Sequence, residues 1–444
     1  MPASRPEFAS PASDLKDYVT NRLQNARAVL PILAGLPAEA KNAALQQIAR
    51  TLWEARRDVL AANAVDLAAA RRDGMDATRL DRLLLDEERI RQMQEGLETV
   101  ASLPDPVGNC LETTIRQDGL RIDKVRVPIG VVSIVYESRP NVTVDAAAIA
   151  FKTGNAAVLR GGREALRSNQ ALVEAIHQGL AAAGMPTKAV QFIDRVEHET
   201  VDLMIRARGL VDLAIPRGGA GLISYVAERA LVPVIETGVG NCHVFVDRTA
   251  DLAMADAIVI NAKTQRPSVC NAMETLLVHE AVAQAWLPQI AAELIGRGVE
   301  LRVCARGKEI LALSGLSPVL EATEEDWATE FLRPVLAIRV VRDLASAMDH
   351  IAQYGTRHSE AIVTEDPKAA DTFLTQVDAA AVYHNASTRF TDGYEFGFGV
   401  EIGISTQKLH ARGPMGLKEL TSYKYIVRGQ GHVRGNSPAT PQVR

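Results

Sequence analysis

The chain has 444 residues, more than a single hydrophobic core usually organises, so two or three domains are expected. Hydrophobic residues make up 47% of the sequence and charged residues 23%, proportions that exclude a largely disordered chain. The formal net charge is -5 and Lys and Arg form no dense run, so no nucleic-acid partner is expected.

Cysteine usage favours a reducing compartment. The four thiols, Cys110, Cys242, Cys270 and Cys304, form no CxxC pair and are too sparse for a disulfide scaffold. The first residues carry no charged-then-apolar signal pattern, and no apolar run is long enough to span a bilayer. We therefore expect a cytoplasmic protein with no membrane partner.

The first hundred residues are predicted to be nearly all helix. Asp14 is a candidate N-cap, and apolar residues recur at helical spacing from Leu15 to Leu30. Further amphipathic stretches run from Ala38 to about Arg72 and from Arg79 to Leu103.

From about residue 120 the pattern changes to short apolar strands that alternate with helices. Val131–Tyr136 is a near-continuous apolar run, typical of a strand buried on both faces. Four more strands are predicted at Ala156–Leu159, Val190–Ile193, Asp212–Ile215 and Pro233–Glu236. This alternation predicts a doubly wound parallel sheet, and such sheets bind ligands at the carboxyl ends of their strands.

A second α/β cycle begins at His243–Asp247. Its further strands are predicted at Glu274–Val278, Glu300–Cys304, Pro334–Val341, Glu360–Thr364 and Ala380–Tyr383. A glycine-rich stretch, Thr391 to Gly416, then precedes a last strand at Thr421–Val427.

Two glycine turns, each between a strand and a helix, are candidate cofactor-binding sites. They are Arg160-Gly161-Gly162-Arg163 and Arg217-Gly218-Gly219. Glycines let the backbone approach a phosphate at a helix N-terminus, and guanidinium groups suit the 2′-phosphate of NADP. Neither turn matches G-x-G-x-x-G, so ordinary strand-to-helix turns remain an alternative.

Cys270 is a candidate nucleophile in the turn before an apolar strand. Lys263 and Arg266 are near in sequence, and positive charge lowers the pKa of a thiol. The alternative is a small buried hydrophobe, which is the usual role of a free cysteine.

Two polar residues lie at strand ends. Asn141 could donate to an oxyanion or cap the helix that follows it. Glu236 could be a general base or a solvated carboxylate. The basic loop that contains Lys408 and Arg412 could hold a phosphate, or could simply be solvated. The nine histidines show no metal-site spacing, so no metal is expected.

Several motifs resemble one enzyme family. Gly154–Gly162 resembles the cofactor strand and turn of the aldehyde dehydrogenase superfamily. The segments that resemble the γ-glutamyl phosphate reductase family are Tyr136–Asn141, Ile215–Gly219, Asn261–Asn271, His350–Glu360 and Glu401–Pro414. The likeness covers nearly the whole chain, from about Asp14 to Gly431.

The resemblance implies an α/β, aldehyde-dehydrogenase-like fold. It comprises a doubly wound parallel-sheet cofactor domain, an α/β catalytic domain and a small β oligomerisation arm. The expected ranges are 14–110 and 129–240 for NADP binding, 241–390 for catalysis, 111–128 and 420–431 for the arm, and 391–419 for a basic, glycine-rich segment that closes the active site. A homodimer or larger homo-oligomer is therefore expected.

The resemblance also implies residue roles. Cys270 matches the family nucleophile and Asn141 the oxyanion-holding asparagine, while the two glycine turns match the cofactor turns. Oxidising members have Glu-Leu-Gly-Gly where this chain has Glu236-Thr237-Gly238-Val239, and use the Glu to activate water. A reductase has no need of that step, so the general-base role of Glu236 is in doubt.

The implied reaction is the NADPH-dependent reduction of L-glutamate 5-phosphate to L-glutamate 5-semialdehyde and phosphate through a cysteinyl thioester. This is the second step of proline biosynthesis, and a glutamate 5-kinase is the expected functional partner. Arg139, Arg266, Lys408 and Arg412 are candidates for holding the phosphate of this acyl phosphate. The alternatives are a CoA-acylating or hydrolytic aldehyde dehydrogenase on the same fold, and a nucleotide-binding protein without catalysis.

Overall fold

The computed structural model describes residues 11–316, 319–434 and 442–443, and these divide into two compact units. The first unit holds the described residues up to Ile235, with Phe398–Ile402 and those from Met415 onward. The second unit comprises Glu236–Gly397 and Gly403–Pro414. The stretch between 397 and 415 therefore contributes to both units.

The α-helices follow in chain order. They are α1 (Pro11–Ala28), α2 (Leu30–Gly35), α3 (Ala38–Glu54), α4 (Arg56–Arg72), α5 (Ala77–Leu83), α6 (Glu87–Ser102), α7 (Asn141–Lys152), α8 (Leu166–Ala182), α9 (Glu199–Ile205), α10 (Ala220–Arg229), α11 (Leu252–Thr264), α12 (Glu280–Gly296), α13 (Ala305–Leu313), α14 (Glu324–Trp327), α15 (Leu344–Tyr354) and α16 (Pro367–Gln376).

The strands make up four sheets. They are β1 (Cys110–Ile115), β2 (Arg121–Pro128), β3 (Val131–Tyr136), β4 (Ala156–Arg160), β5 (Val190–Phe192), β6 (Leu213–Arg217), β7 (Cys242–Val246), β8 (Met273–His279), β9 (Glu300–Val303), β10 (Leu320–Glu321), β11 (Val335–Val341), β12 (Ser359–Val363), β13 (Ala381–His384), β14 (Ile404–Ser405), β15 (Gly413–Pro414), β16 (Thr421–Arg428) and β17 (Gln442–Val443).

The N-terminal helices differ from the prediction at their ends. Helix α1 begins at Pro11, so Asp14 lies in its first turn instead of capping it, where a carboxylate still favours the helix dipole. The stretch from Ala38 to Arg72 is two helices that break at Ala55. Amphipathic spacing continues across that break, which explains why the sequence pattern missed it.

The sheet of the first unit is parallel, with the strand order β5-β4-β3-β6. Every residue of β3 is buried, as its continuous apolar run predicts. The fifth predicted strand, Pro233–Glu236, is wrong, since Val234 makes only an isolated bridge with Ala214. Pro233 has no N–H to donate, and the N–H of Glu236 donates to the side chain of Gln407, so the ladder extends no further.

A second sheet of the first unit is antiparallel, with the order β16-β2-β1-β17. Strand β16 lies at its edge and exposes Tyr423, Tyr425 and Val427. These strands include the segments expected to form the oligomerisation arm, and that role stays a prediction.

The sheet of the second unit has seven parallel strands in the order β10-β9-β11-β8-β7-β12-β13. The six strands predicted from His243 to Tyr383 are confirmed, each to within one residue at either end. One buried cluster, with Trp286 and Leu294, packs α11, α12 and α13 on the sheet. Another, with Phe373 and Ile351, packs α15 and α16. The sheet is thus covered on both faces, as its apolar strands require. Among the described helices, none combines the length and apolarity needed to cross a bilayer.

Gly179 of α8 supplies the first testable prediction. A Cβ at Gly179 would lie 2.6 Å from the Cα of Ile48 in α3, so Gly179→Ala would force the two helices apart. Overpacking of this kind costs about 1–3 kcal/mol, which urea denaturation would measure as a lower free energy of unfolding. Gly296→Ala, at the end of α12 with nothing within 4 Å, is the matched control and should be neutral or stabilising. Equal effects of the two substitutions would contradict the close α3–α8 packing.

Candidate active site

The predicted cofactor and oxyanion residues of the first unit lie along one edge of its sheet. Arg139 and Asn141 follow β3, the turn Arg160–Arg163 follows β4, and Arg217–Gly219 ends β6. Because β3 lies between β4 and β6 in a parallel sheet, the carboxyl ends of all three strands are neighbours. This is the edge at which open parallel sheets bind ligands.

Asn141 does not cap helix α7. Pro140 is the N-cap residue and Asn141 is the first helical residue, with an exposed side chain. Its Nδ2 donates to Oδ2 of Asp145, one turn later, at 3.0 Å. Since an amide nitrogen carries two hydrogens, this contact orients the group and leaves one N–H for an oxyanion. Burial raises the pKa of Asp145 to about 7, opposed by the Asn141 hydrogen bond and the charge of Arg217.

The first glycine turn encloses a carboxylate of the chain itself. Oε1 of Glu164 accepts from the backbone N of Ser138 at 2.8 Å and from its Oγ at 2.6 Å. A Cβ at Gly162 would overlap this carboxylate. Ser138 has a φ of +40°, which is unfavourable for a residue with a Cβ and is held here by the two hydrogen bonds.

The second glycine turn also packs against a carboxylate, and here a backbone N–H of the turn itself donates to it. Oε2 of Glu137 accepts from the backbone N of Gly219 at 2.9 Å, at the N-terminus of α10. A Cβ at Gly218 would lie 2.5 Å from the same oxygen. The helix terminus therefore holds an anionic group already, which is the chemistry that it would offer to a phosphate.

The arginines of these turns differ in burial and in the hydrogen bonds that their guanidinium groups make. Arg160 is buried, and its guanidinium donates to the carbonyl oxygens of Gly161 and Val196. Arg163 is exposed. The buried Nε atoms of Arg160 and Arg217 and the buried Nδ2 of Asn169 have no hydrogen-bond partner among the described residues. Three donors without acceptors beside close-packed glycines fit a phosphate-bearing dinucleotide.

In the second unit the loop of the predicted nucleophile and three neighbouring loops lie at the amino edge of the sheet instead. Cys270 precedes β8, His358 precedes β12 and Asp378 precedes β13, while Gly240 precedes β7. Since β8, β7, β12 and β13 are consecutive in a parallel sheet, these loops are neighbours. The carboxyl-edge rule that located the first site therefore does not locate the second.

Cys270 is half-buried, and its loop is fastened on both sides. Its carbonyl oxygen accepts from Sγ of Cys242 at 3.2 Å. The next carbonyl, of Asn271, accepts from Oγ1 of Thr388 at 2.7 Å. Nδ2 of Asn271 donates to the carbonyl oxygen of Thr391 at 2.9 Å. A partly accessible thiol on a fixed backbone suits a nucleophile better than a packing role.

The charge near this thiol does not come from Lys263. That ammonium group is fully buried and pairs with the carboxylate of Glu274, so its charge is compensated. Arg389 interacts electrostatically with Cys270 instead: burial lowers the pKa of Arg389, while the negative charges of Asp392 and Cys270 oppose the shift. Arg266 is exposed.

Glu236 is held by Gln407 of the glycine-rich loop. Its Oε1 accepts from Nε2 of Gln407 at 2.7 Å, and its backbone N donates to Oε1 of the same amide at 3.0 Å. The side chain is therefore half-buried and oriented, which differs from the solvated carboxylate considered as an alternative.

The basic loop is organised around an acid. Oδ2 of Asp378 lies 2.7 Å from Nζ of Lys408, and Oδ1 lies 2.8 Å from Nη2 of Arg412. Nε of Arg357 is 3.9 Å from the same carboxylate. Hydrogen bonds from Lys408 and Arg412 hold the pKa of Asp378 below its usual range. One carboxylate among three cations leaves an excess of positive charge, which suits an anionic substrate.

Sequence reasoning missed five residues of these sites. They are Asp145, Cys242, Asp378, Arg389 and Gln407. Asp145 had a signal, because it lies four residues after Asn141 and so on the same helix face. Gln407 lies inside the Glu401–Pro414 motif but was not singled out. The other three are brought to the site only by strand order. No group of three or more His, Cys, Asp or Glu that could hold a metal is found in residues 11–316, 319–434 and 442–443.

Comparison with known proteins identifies the family. The sequence profile described as "Aldehyde dehydrogenase family" matches residues 1–299. The gamma-glutamyl phosphate reductase of Moorella thermoacetica is 58% identical over 416 residues, which are 94% of this chain and 98% of that protein. The chain belongs to the aldehyde dehydrogenase family. The predicted resemblance and fold class are thereby confirmed, and family membership implies a nicotinamide cofactor.

Solved structures agree with this assignment. The crystal structure of gamma-glutamyl phosphate reductase from Thermotoga maritima has a TM-score of 0.90 and 50% identity, covering 94% of this chain and all of that one. An acetylating aldehyde dehydrogenase from Geobacillus thermoglucosidasius has a TM-score of 0.69 and 18% identity, covering 97% of this chain and 100% of its own, a likeness of fold alone.

The Lys263–Glu274 pair generates a stability prediction. Both side chains are fully buried, and Glu274 also accepts from the backbone N of Leu332 at 3.0 Å. Lys263→Met would leave a buried carboxylate without its counter-ion, which costs about 3–5 kcal/mol. Urea denaturation measures this loss. Arg297→Met removes the exposed pair with Glu293 and is the control, with an expected change below about 1 kcal/mol. If Lys263→Met lowered the free energy of unfolding no more than this control does, the importance of the pair would be contradicted.

Asp145 generates a prediction about pH. Because its pKa in the folded protein is raised to about 7, the folded state binds the proton more tightly than the unfolded chain. Stability should therefore fall as pH rises from about 4 to about 7, and Asp145→Asn should reduce this fall. The melting temperature between pH 5 and pH 8 measures it, with exposed Asp17→Asn as the control. Asp145 keeps some contact with solvent, so the effect is smaller than full burial would give. Parallel curves for wild type and Asp145→Asn would refute the assignment.

Proposed function

We propose that this chain catalyses the NADPH-dependent reduction of L-glutamate 5-phosphate to L-glutamate 5-semialdehyde and phosphate, the second step of proline biosynthesis from glutamate. Relatives named gamma-glutamyl phosphate reductase, which match nearly all of the chain, support the reaction. The observation that carries the mechanism is the half-buried Cys270 in a loop fastened on both sides.

In the first step the thiolate of Cys270 attacks the acyl carbon of the acyl phosphate. A carbon–sulfur bond forms, the carbon–oxygen bond to phosphate breaks, and inorganic phosphate leaves with the bonding electrons. The positive charge of Arg389 favours the thiolate. Asn141 stabilises the oxyanion through the amide N–H that Asp145 does not engage.

The departing phosphate and the charged end of the substrate need cations. Lys408 and Arg412, gathered by Asp378, offer such a group, and Arg139 and Arg266 are further candidates. Charge-assisted hydrogen bonds from guanidinium groups are strong and directional toward phosphate oxygens. Asp378 limits their mutual repulsion and so keeps the loop ordered before the substrate arrives.

The cofactor turns of the first unit hold the dinucleotide. Gly161, Gly162, Gly218 and Gly219 provide close backbone approach, and Arg163 and Arg217 are the guanidinium groups suited to the 2′-phosphate, with Arg160 bracing the turn. When bound, the reduced nicotinamide supplies the hydride that converts the thioester to the aldehyde. Glu236 has no water to activate in this reaction, and Gln407 fixes its carboxylate.

The cellular setting follows from the chemistry. Acyl phosphates hydrolyse readily in water, so a glutamate 5-kinase that supplies the substrate is the expected functional partner. Sparse cysteines that form no disulfide within the described residues fit the cytoplasm. The exposed edge strand β16 fits a homodimer or larger homo-oligomer, since unpaired edges are commonly covered. The ranges assigned to the arm and to the closing segment 391–419 are part of this proposal.

The proposed reaction can be tested by its requirement for inorganic phosphate. In the reverse direction, sustained conversion of the semialdehyde and NADP to L-glutamate 5-phosphate and NADPH should require inorganic phosphate, because phosphate must release the acyl group from Cys270. NADPH absorbance measures the rate. A rate indifferent to phosphate but dependent on CoA or water would favour the CoA-acylating or hydrolytic alternative.

The nucleophile has a separate test. Cys270→Ser should lower kcat by at least about 1,000-fold, since a hydroxyl is far less ionised than a thiol at neutral pH. NADPH binding, followed by fluorescence, should be unchanged. Cys110→Ser, at an exposed thiol of the antiparallel sheet, is the matched control and should keep full activity. An active Cys270→Ser would rule out the thioester. Loss of activity in both Cys270→Ser and Cys110→Ser would show that the defect is not specific to Cys270.

A further inference from the structure

A second thiol lies directly beneath the nucleophile loop. Cys242 is the first residue of β7 and is fully buried. Its Sγ donates to the carbonyl oxygen of Cys270 at 3.2 Å and lies 3.6 Å from Nδ1 of His358. The mechanism described above gives this thiol no role.

Its surroundings keep Cys242 protonated. Burial raises the pKa of this thiol well above its usual value, and the negative charges of Glu360 and Cys270 raise it further. A neutral S–H group is a donor, whereas a thiolate could only accept. The contact with Cys270 is therefore a hydrogen bond from the buried thiol to the backbone of the nucleophile.

Gly240 closes the other side of the same carbonyl group. A Cβ at Gly240 would overlap the carbonyl oxygen of Cys270, so backbone packs on backbone here. The N–H of Gly240 donates to Oε1 of Glu330 at 2.7 Å, which fixes the segment that presses on the loop. The carbonyl oxygen of Cys270 therefore lies between the backbone of Gly240 and the thiol of Cys242.

The orientation of this peptide group affects the reacting atom. The carbonyl of Cys270 is fixed by Cys242, and the following carbonyl, of Asn271, is fixed by Thr388. Since a peptide unit is planar, fixing its carbonyl also fixes the N–H of Asn271 and the position of the Cα from which the side chain of Cys270 projects. Two successive anchored carbonyls therefore hold the main chain on the C-terminal side of this Cα.

We propose that Cys242 is a positioning residue for Cys270: its buried thiol, together with Gly240, holds the peptide from which the nucleophile projects. The inference rests on the proposed role of Cys270 as nucleophile. A hydrogen bond from sulfur is weak, but its loss removes one of the contacts that hold the Cys270 carbonyl in place. A displacement of about 1 Å in a reacting group can cost about 100-fold in rate.

The test compares three substitutions at one position. Cys242→Ala removes the donor and leaves space, Cys242→Val removes the donor and fills the space, and Cys242→Ser keeps a donor. The control is Cys110→Ala. For each purified, full-length enzyme, kcat, KM and NADPH affinity are measured per folded molecule, below its melting temperature. Peptide mass mapping after treatment with iodoacetamide checks that Cys270 still carries a free thiol.

The expected result is a loss of kcat of about 10-fold or more in Cys242→Ala and Cys242→Val, with NADPH affinity within about twofold of wild type. Cys242→Ser should return kcat to within about threefold, because it restores the donor. If Cys242→Ala does not fold, Cys242→Val decides, since it keeps the core filled. Wild-type kcat in a folded variant without the donor, or a kcat in Cys242→Ser no better than in Cys242→Val, would overturn the proposal.

Failure of this inference differs from failure of the proposed function. Cys270→Ser is assayed in parallel: if it is inactive while the Cys242 variants match wild type, only the positioning role is lost. If Cys270→Ser stays active, the nucleophile itself is wrong, and the positioning role of Cys242 falls with it.

Discussion

The candidate catalytic site depends on the way in which the Cys270–Asn271 segment is fastened at the amino edge of the seven-stranded sheet. Two carbonyl groups and one amide side chain are engaged within two residues, by Cys242, Thr388 and Thr391. The donors and acceptors come from β7 and from the loop that follows β13, which are distant in sequence and brought together by strand order. Because the sheet is buried on both faces, its strands cannot shift to relax this arrangement.

The two glycine turns of the first unit each lie against a carboxylate of the chain itself. This carboxylate is Glu164 in one turn and Glu137 in the other; the first accepts from the backbone N–H of Ser138 and the second from that of Gly219. Unsatisfied donors in such turns cost free energy, and an internal acceptor removes that cost. An arriving phosphate would meet donors whose geometry is set in advance, which lowers the ordering entropy of binding.

Charge at both sites is arranged in pairs and clusters. Lys263 looked from the sequence like a free cation beside the thiol, yet it is fully buried with Glu274. Lys408 and Arg412 looked like a solvated basic loop or a phosphate clamp, and they converge on Asp378. Proximity along the chain was misleading in the first case because α11 turns the ammonium group inward. Only the distribution of acids in space separates these outcomes.

The sequence by itself determined the fold class, six of the seven strands in the described parallel sheet of the second unit, and the family, because buried parallel strands need continuous apolar runs and because the motifs are long. It also marked Asn141 and Cys270 as the polar residues worth attention. Tertiary structure alone decided which residues support them. Cys242, Arg389 and Asp378 have no periodic or motif signature, and Gln407 lies inside a motif that does not single it out. The contacts of all four arise from strand order and loop packing between segments far apart in the chain. The strand predicted at Pro233–Glu236 is likewise only an isolated bridge at Val234, and the N–H of Glu236 donates to the side chain of Gln407, a contact that no local pattern encodes.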